Sequence, residues 1–156
     1  MIKKFLFFIL ITFSLSSCGY SPIYSKKNNT DFEIINFKIE GNNQINNIAK
    51  NKLQKYFNND SKKKYRVFIK TNYKKNSAAK DLTGNTTNFN LTISLSLNYI
   101  KMSLEDNSLE KTVSFSKNQM IKKDPNNYEQ SNYEKILIEN MSQLLIDKVI
   151  LHLSRG

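Results

Sequence analysis

Residues 88–102 read NFNLTISLSLNYIKM, and their pattern decides the architecture. Phe89, Leu91, Ile93, Leu95, Leu97 and Tyr99 alternate with Asn90, Thr92, Ser94, Ser96 and Asn98 without a break. Successive side chains of a strand point to opposite faces, so a period of two predicts a long strand, apolar on one side and polar on the other. An antiparallel sheet can pack one face on a core and leave the other to water or a polar partner, which this strand requires.

The segments on either side supply its neighbours. Leu104 to Ser108 (LEDNS) predicts a turn, and Leu109 to Ile121 returns as a strand with Val113 and Phe115 opposed to Thr112, Ser114 and Ser116. The pair forms a long hairpin. Upstream, Lys64 to Tyr73 (KYRVFIKTNY) places Tyr65, Val67, Ile69 and Tyr73 on one face. Asp31 to Glu40 (DFEIINFKIE) alternates too, with a phase slip at Ile34-Ile35 that predicts a bulge, and Gly41-Asn42-Asn43 ends it.

Two segments carry a helical period instead. From Gln44 to Phe57 the apolar residues Ile45, Ile48, Ala49, Leu53, Tyr56 and Phe57 recur at i, i+3, i+4 and i+8, with Asn43 as the expected N-cap and Asn58-Asn59-Asp60-Ser61 as the end. After Lys122-Lys123-Asp124-Pro125 the chain is expected to be helical almost to its end, through Ile136, Leu137, Met141, Leu144, Leu145, Val149 and Leu153. Ser131 and Glu134 have capping-box spacing, and Asp124 before Pro125 offers an earlier start. Ile138, Ile146, Ile150 and Leu151 add more apolar surface than one stripe needs, which fits a helix wedged between sheet and first helix, or one that also meets a partner. The order βαβββα follows: an α+β domain with a four-stranded, mostly antiparallel sheet and two helices on one face.

Ahead of the domain lies an export signal. Met1-Ile2-Lys3-Lys4 precedes an apolar run from Phe5 to Phe13, followed by Ser14-Leu15-Ser16-Ser17-Cys18-Gly19. The run is shorter than the roughly 20 apolar residues a spanning helix needs, so it reads as a removable signal peptide. Leu15-Ser16-Ser17-Cys18 has the form of a lipobox: a branched apolar residue, two small ones that fit a narrow peptidase groove, and a thiol able to form a thioether to diacylglycerol. This predicts cleavage between Ser17 and Cys18 and a lipid anchor on Cys18, with residues 1–17 as signal, 18–30 as a polar tether and 31–156 as the folded domain. Cys18 is the only cysteine, so no intrachain disulfide can form. Gly19, rather than Asp, follows it, which under the enteric sorting rule directs delivery to the outer membrane.

Removal of residues 1–17 leaves 139 of the 156 residues, enough for one core. Without Lys3 and Lys4 the net charge of +11 falls to +9, still favouring anionic partners. An exported chain does not meet nucleic acid as its main partner; phosphorylated lipopolysaccharide, acidic headgroups and peptidoglycan carboxylates are the polyanions of an envelope. Lys74, Lys75 and Lys80, in the expected loop before the hairpin, and Lys117, Lys122 and Lys123, near its end, are the candidate anion contacts. Catalysis is not expected. One histidine (His152), one cysteine and four glycines leave no phosphate-cradling loop, no metal-ligand cluster and no nucleophile–base pair. No cofactor or metal is expected.

Cys18-Gly19-Tyr20-Ser21-Pro22-Ile23-Tyr24 resembles the Cys-Gly-Phe-x-Pro-Leu-Tyr opening of the LptE family of lipopolysaccharide-assembly lipoproteins in its alphaproteobacterial form, with Tyr20 for Phe and Ile23 for Leu. The element order, the Tyr-rich second strand, the tyrosine near the end of the third (Tyr99) and the tyrosine-rich lead into the last helix are also similar to that family. The resemblance implies a non-enzymatic lipoprotein seated as a plug in the lumen of the LptD outer-membrane β-barrel, assisting its folding and the delivery of lipopolysaccharide to the outer leaflet. An auxiliary lipoprotein of an ABC-type lipid-transport system, with an apolar groove for an acyl tail, and an envelope hydrolase are the competing readings.

Overall fold

The computed structural model describes residues 31–57, 61–102 and 110–156. The expected signal peptide with its cleavage and lipid site at Ser17 and Cys18, the family-like opening, the expected tether and the expected 104–108 turn lie outside the described residues, as do Asn58, Asn59 and Asp60.

The element order is βαβββα: β1 (Glu33–Gly41), α1 (Asn43–Leu53) continued by a 3-10 turn (Gln54–Tyr56), β2 (Lys64–Lys80), β3 (Thr86–Met102), β4 (Glu110–Lys122) and α2 (Asn127–Arg155). The strands form one sheet in the order β1-β2-β3-β4. β1 and β2 run parallel, joined across α1, while β2, β3 and β4 are successively antiparallel. The register between β1 and β2 shifts between Ile34 and Asn36, so Ile35 is the bulge that the phase slip predicts, and its side chain is 44% exposed.

Several boundaries differ from the sequence expectation. Asn42, rather than Asn43, caps α1; its Oδ1 accepts the Ile45 amide at 3.2 Å. Neither Ser131 nor Asp124 caps α2: Asn126 does, with its side chain accepting the Tyr128 and Glu129 amides. Asp124 instead accepts the Asn126 amide at 2.7 Å and sets up that cap.

The largest difference is in β2. It continues past Tyr73 to Lys80 and pairs with β3 throughout, so the expected loop shrinks to Asp81–Asn85. Asp81 holds this tip, its Oδ1 accepting the Thr83 and Asn85 amides at 2.9 Å each.

The core lies on one face of the sheet. Tyr65, Val67 and Ile69 of β2 and Leu91, Ile93, Leu95 and Leu97 of β3 are at most 4% exposed. All of these except Leu91 form one cluster with Ile45, Ala49 and Leu53 of α1 and Ile138, Met141, Leu145, Ile146, Val149 and Leu153 of α2. Burying an aliphatic side chain of this size stabilises a fold by about 1.5–3 kcal/mol, so this interface is the main source of stability.

The two helices run side by side in the same direction. Gln44 donates to the Lys135 carbonyl at 3.4 Å, and Lys52 reaches Asp147 at 2.6 Å further along both helices. Ile138 and Ile146 are buried and Ile150 partly so, as a wedged helix requires, while Ile136, Leu144 and Leu151 remain about half exposed. At the C-terminal end of α2 the Tyr99 hydroxyl and His152 Nε2 lie 3.0 Å apart. Tyr65 packs edge-on against Tyr99, and burial pushes its hydroxyl pKa up, with Tyr99 adding to the effect.

Candidate interaction surface

Among the described residues, no helix covers the second face of the sheet. Its residues are fixed by register: the ladder Asn36–Arg66–Ile100–Glu110 crosses all four strands, and Lys38–Phe68–Asn98–Thr112 lies beside it. Along β3 and β4 the same face shows Thr92, Ser94, Ser96, Ser114 and Ser116, short and uncharged. Along β2 it shows Arg66, Lys70 and Lys74, all exposed.

Two shallow depressions mark this face. One, of about 200 Å3, is bordered by Asn36, Lys38, Arg66, Phe68, Asn98, Ile100 and Glu110. The other, of about 330 Å3, has Lys70, Asn72, Ser94, Ser96 and Ser114 on its rim. Glu40 lies across from Lys70 in the β1–β2 register and is engaged by Lys38 at 2.8 Å. That hydrogen bond, followed by the charge of Lys38 and then that of Lys70, holds the Glu40 carboxyl below the usual carboxylate range. The β2 row therefore keeps a net positive potential beside a neutral hydrogen-bonding field of hydroxyls and amides.

The six lysines singled out from sequence do not converge on one site. Lys74, Lys75 and Lys80 sit in β2 rather than in a loop, because hairpin pairing carries the strand to Lys80. Lys74 pairs in register with Thr92 on the open face and Lys122 with Asn88 on the same face. Lys75 and Lys117 pair with the buried Leu91 and Ile93, which places both on the helix-side face. Lys75 is bound to Glu134 at 2.5 Å and lies 4.1 Å from the Phe89 ring centroid, so its charge is already matched. Lys123 follows β4, its amide bonded to the Thr87 carbonyl at 2.8 Å.

Arg66, Lys70 and Lys38 are cations of this face that residue type alone does not single out. A signal for them exists in the sequence: they occupy the positions of two predicted strands that alternate with the core-facing ones. Among the described residues no group of three or more His, Cys, Asp or Glu side chains is placed to hold a metal ion. No helix among them is long and apolar enough to cross a membrane.

No protein-family model and no curated protein matches the sequence. The fold does have solved counterparts. The crystal structure of rare lipoprotein B from Shewanella oneidensis superposes with a TM-score of 0.60 at 11% identity, covering 79% of this chain and 95% of that one. The fold is shared with that lipoprotein. The minor lipoprotein from Acinetobacter baumannii aligns with a TM-score of 0.48 at 9% identity, over 79% of this chain and 91% of that one. An uncharacterized lipoprotein B from Nitrosomonas europaea aligns with a TM-score of 0.49 at 12% identity, over 81% and 87%. At such identities the likeness is one of fold.

Proposed function

We propose that this chain is an outer-membrane lipoprotein, anchored by lipid on Cys18, that seats in the lumen of the LptD β-barrel and helps it fold for lipopolysaccharide transport. It performs no catalysis. The observation that carries this reading is the run Cys18-Gly19-Tyr20-Ser21-Pro22-Ile23-Tyr24, set directly behind a lipobox and ahead of a βαβββα domain.

The surface chemistry supports it. A barrel lumen is polar and lined by the inward-facing residues of its strands. A plug must therefore offer hydrogen-bonding groups over a broad, nearly flat area, as the Ser, Thr and Asn side chains of β3 and β4 do. Rare lipoprotein B, which superposes over most of both chains, is a lipoprotein of the same fold.

Depletion of the protein in its own cells tests the reading through the state of the barrel. Folded outer-membrane barrels resist SDS until boiled and migrate differently from the unfolded chain. Loss of the SDS-resistant LptD species on depletion, restored by the wild-type gene, is the expected result. An unchanged amount of folded barrel overturns the assignment.

A further inference from the structure

We infer that the row Arg66, Lys70 and Lys74 on the open face of β2 is a docking rail for a protein β-strand that presents acidic side chains at every fourth residue. This rests on the barrel-plug reading and extends it by naming which face of the plug meets the wall and what chemistry the wall must carry there.

The three cations stand four residues apart on one strand and one face. At about 3.3 Å per residue they recur every 13 Å or so. A facing strand has the same rise, and alternate side chains share a face, so acidic residues at i, i+4 and i+8 match the row in register. Two sheets stacked face to face lie about 10 Å apart. An extended Arg or Lys meeting an Asp or Glu spans that gap.

The rest of the face suits the same partner. The centre of the β3 and β4 side is made of short hydroxyl and amide side chains, with Ile100, Glu110, Met120 and Lys122 towards its two ends, so a second sheet meets little bulk between them. None of Arg66, Lys70 and Lys74 forms an ion pair of 4.0 Å or less among the described residues. The carboxylate opposite Lys70, Glu40, is held by Lys38, and Glu110 stands at the far edge of the face, two strands from Arg66. Lys70 therefore shares Glu40 with Lys38, while the direct cross-strand neighbours of Arg66 (Asn36 and Ile100) and the β3 neighbour of Lys74 (Thr92) are uncharged, and Arg66 adds a planar fork suited to bidentate carboxylate binding.

The test uses the full-length lipoprotein co-expressed with the LptD barrel of its own organism. Arg66→Glu, Lys70→Glu and Lys74→Glu are combined in one variant. A control variant reverses Lys50, Lys135 and Lys148, three exposed helix lysines. Circular dichroism and the melting temperature establish that both variants fold. The expected result is at least a fivefold loss of barrel recovered with the sheet-face variant after mild detergent extraction, with the control unchanged. Reversing an acidic row in one barrel strand to Lys should restore recovery. Equal recovery of the barrel by the wild type and the sheet-face variant overturns the rail while leaving the plug reading intact. Retained barrel with loss only of bound phosphorylated glycolipid overturns it in favour of a lipid ligand. Failure of the wild type to recover any barrel removes both.

Discussion

Lys75 Nζ lies 2.5 Å from Glu134 Oε1 and stacks over Phe89, joining the outer part of β2 to the first turns of α2. Gln130 also donates to Glu134 Oε1, at 2.6 Å, so the carboxylate is shared between two elements. The pair is partly shielded, with the Glu134 side chain 14% exposed and Lys75 32%. Its worth falls between that of a surface pair and a buried one. Lys75→Met should lower stability by about 1–2 kcal/mol, while Lys74→Met and Lys123→Met stay within about 0.5 kcal/mol. Urea denaturation midpoints of the three variants check this. Equal midpoints would return Lys75 to the set of free surface cations.

Gly41 closes β1 at φ +116°, and a Cβ built there would stand 1.9 Å from the Thr71 carbonyl oxygen. That oxygen belongs to backbone fixed in the β1–β2 ladder, so the neighbour cannot yield. Gly41→Ala should cost at least about 2 kcal/mol through strain and overlap. A comparison of urea midpoints for Gly41→Ala and Gly84→Ala separates overlap from backbone strain, since Gly84 also has positive φ but no atom within 4 Å of the place a methyl group would occupy.

Thr71 Oγ1 lies 2.6 Å from Asn46 Oδ1 in the buried seam between β2 and α1, and 3.2 Å from the Glu40 carbonyl. Thr71→Val keeps the shape and removes the hydroxyl. The expected loss is about 1–3 kcal/mol, because Asn46 is then buried with an unmet polar atom. Thr71→Ser retains the hydroxyl and should recover most of it, as measured by thermal melting of both variants.

The hairpin tip should respond to acid. The Thr83 hydroxyl, followed by the Asn85 amide, bonds the Asp81 carboxylate and lowers its pKa below the ordinary aspartate value. A lowered folded pKa means the order it gives the tip is complete above the ordinary value and is lost as pH falls through the lowered one. Backbone 15N relaxation of Thr83 and Asn85 should show a rigid tip at neutral pH and a mobile one in strong acid. Asp81→Ala should be mobile at every pH.

The parts of the fold legible in sequence are those where burial imposes a period. β3 is buried on one face along its centre, so Leu91 to Tyr99 alternate without exception. The bulge is legible because Ile35 breaks an otherwise regular alternation. The outer half of β2 is not. Lys74 to Lys80 (KKNSAAK) lies mostly beyond the core, so pairing with β3 holds it extended without any hydrophobic alternation. The helix starts expected from sequence miss by one to five residues because Asn, Asp and Ser all cap well, and Asn42-Asn43 and Asp124 to Ser131 offer several such residues in each place. For the surface, counting lysines without assigning faces scatters the candidates, whereas the face opposite Tyr65, Val67 and Ile69 yields Arg66 and Lys70 directly.

If the mature chain begins at an acylated cysteine and is held by an outer-membrane barrel, native mass spectrometry of the complex extracted in mild detergent from its own membranes reads both properties at once. The expected species is one LptD chain bound to one copy of this protein, with residues 1–17 absent and the added mass of diacylglycerol and one further acyl chain on Cys18. Recovery as a free monomer, or with an unmodified Cys18, would refute the assignment.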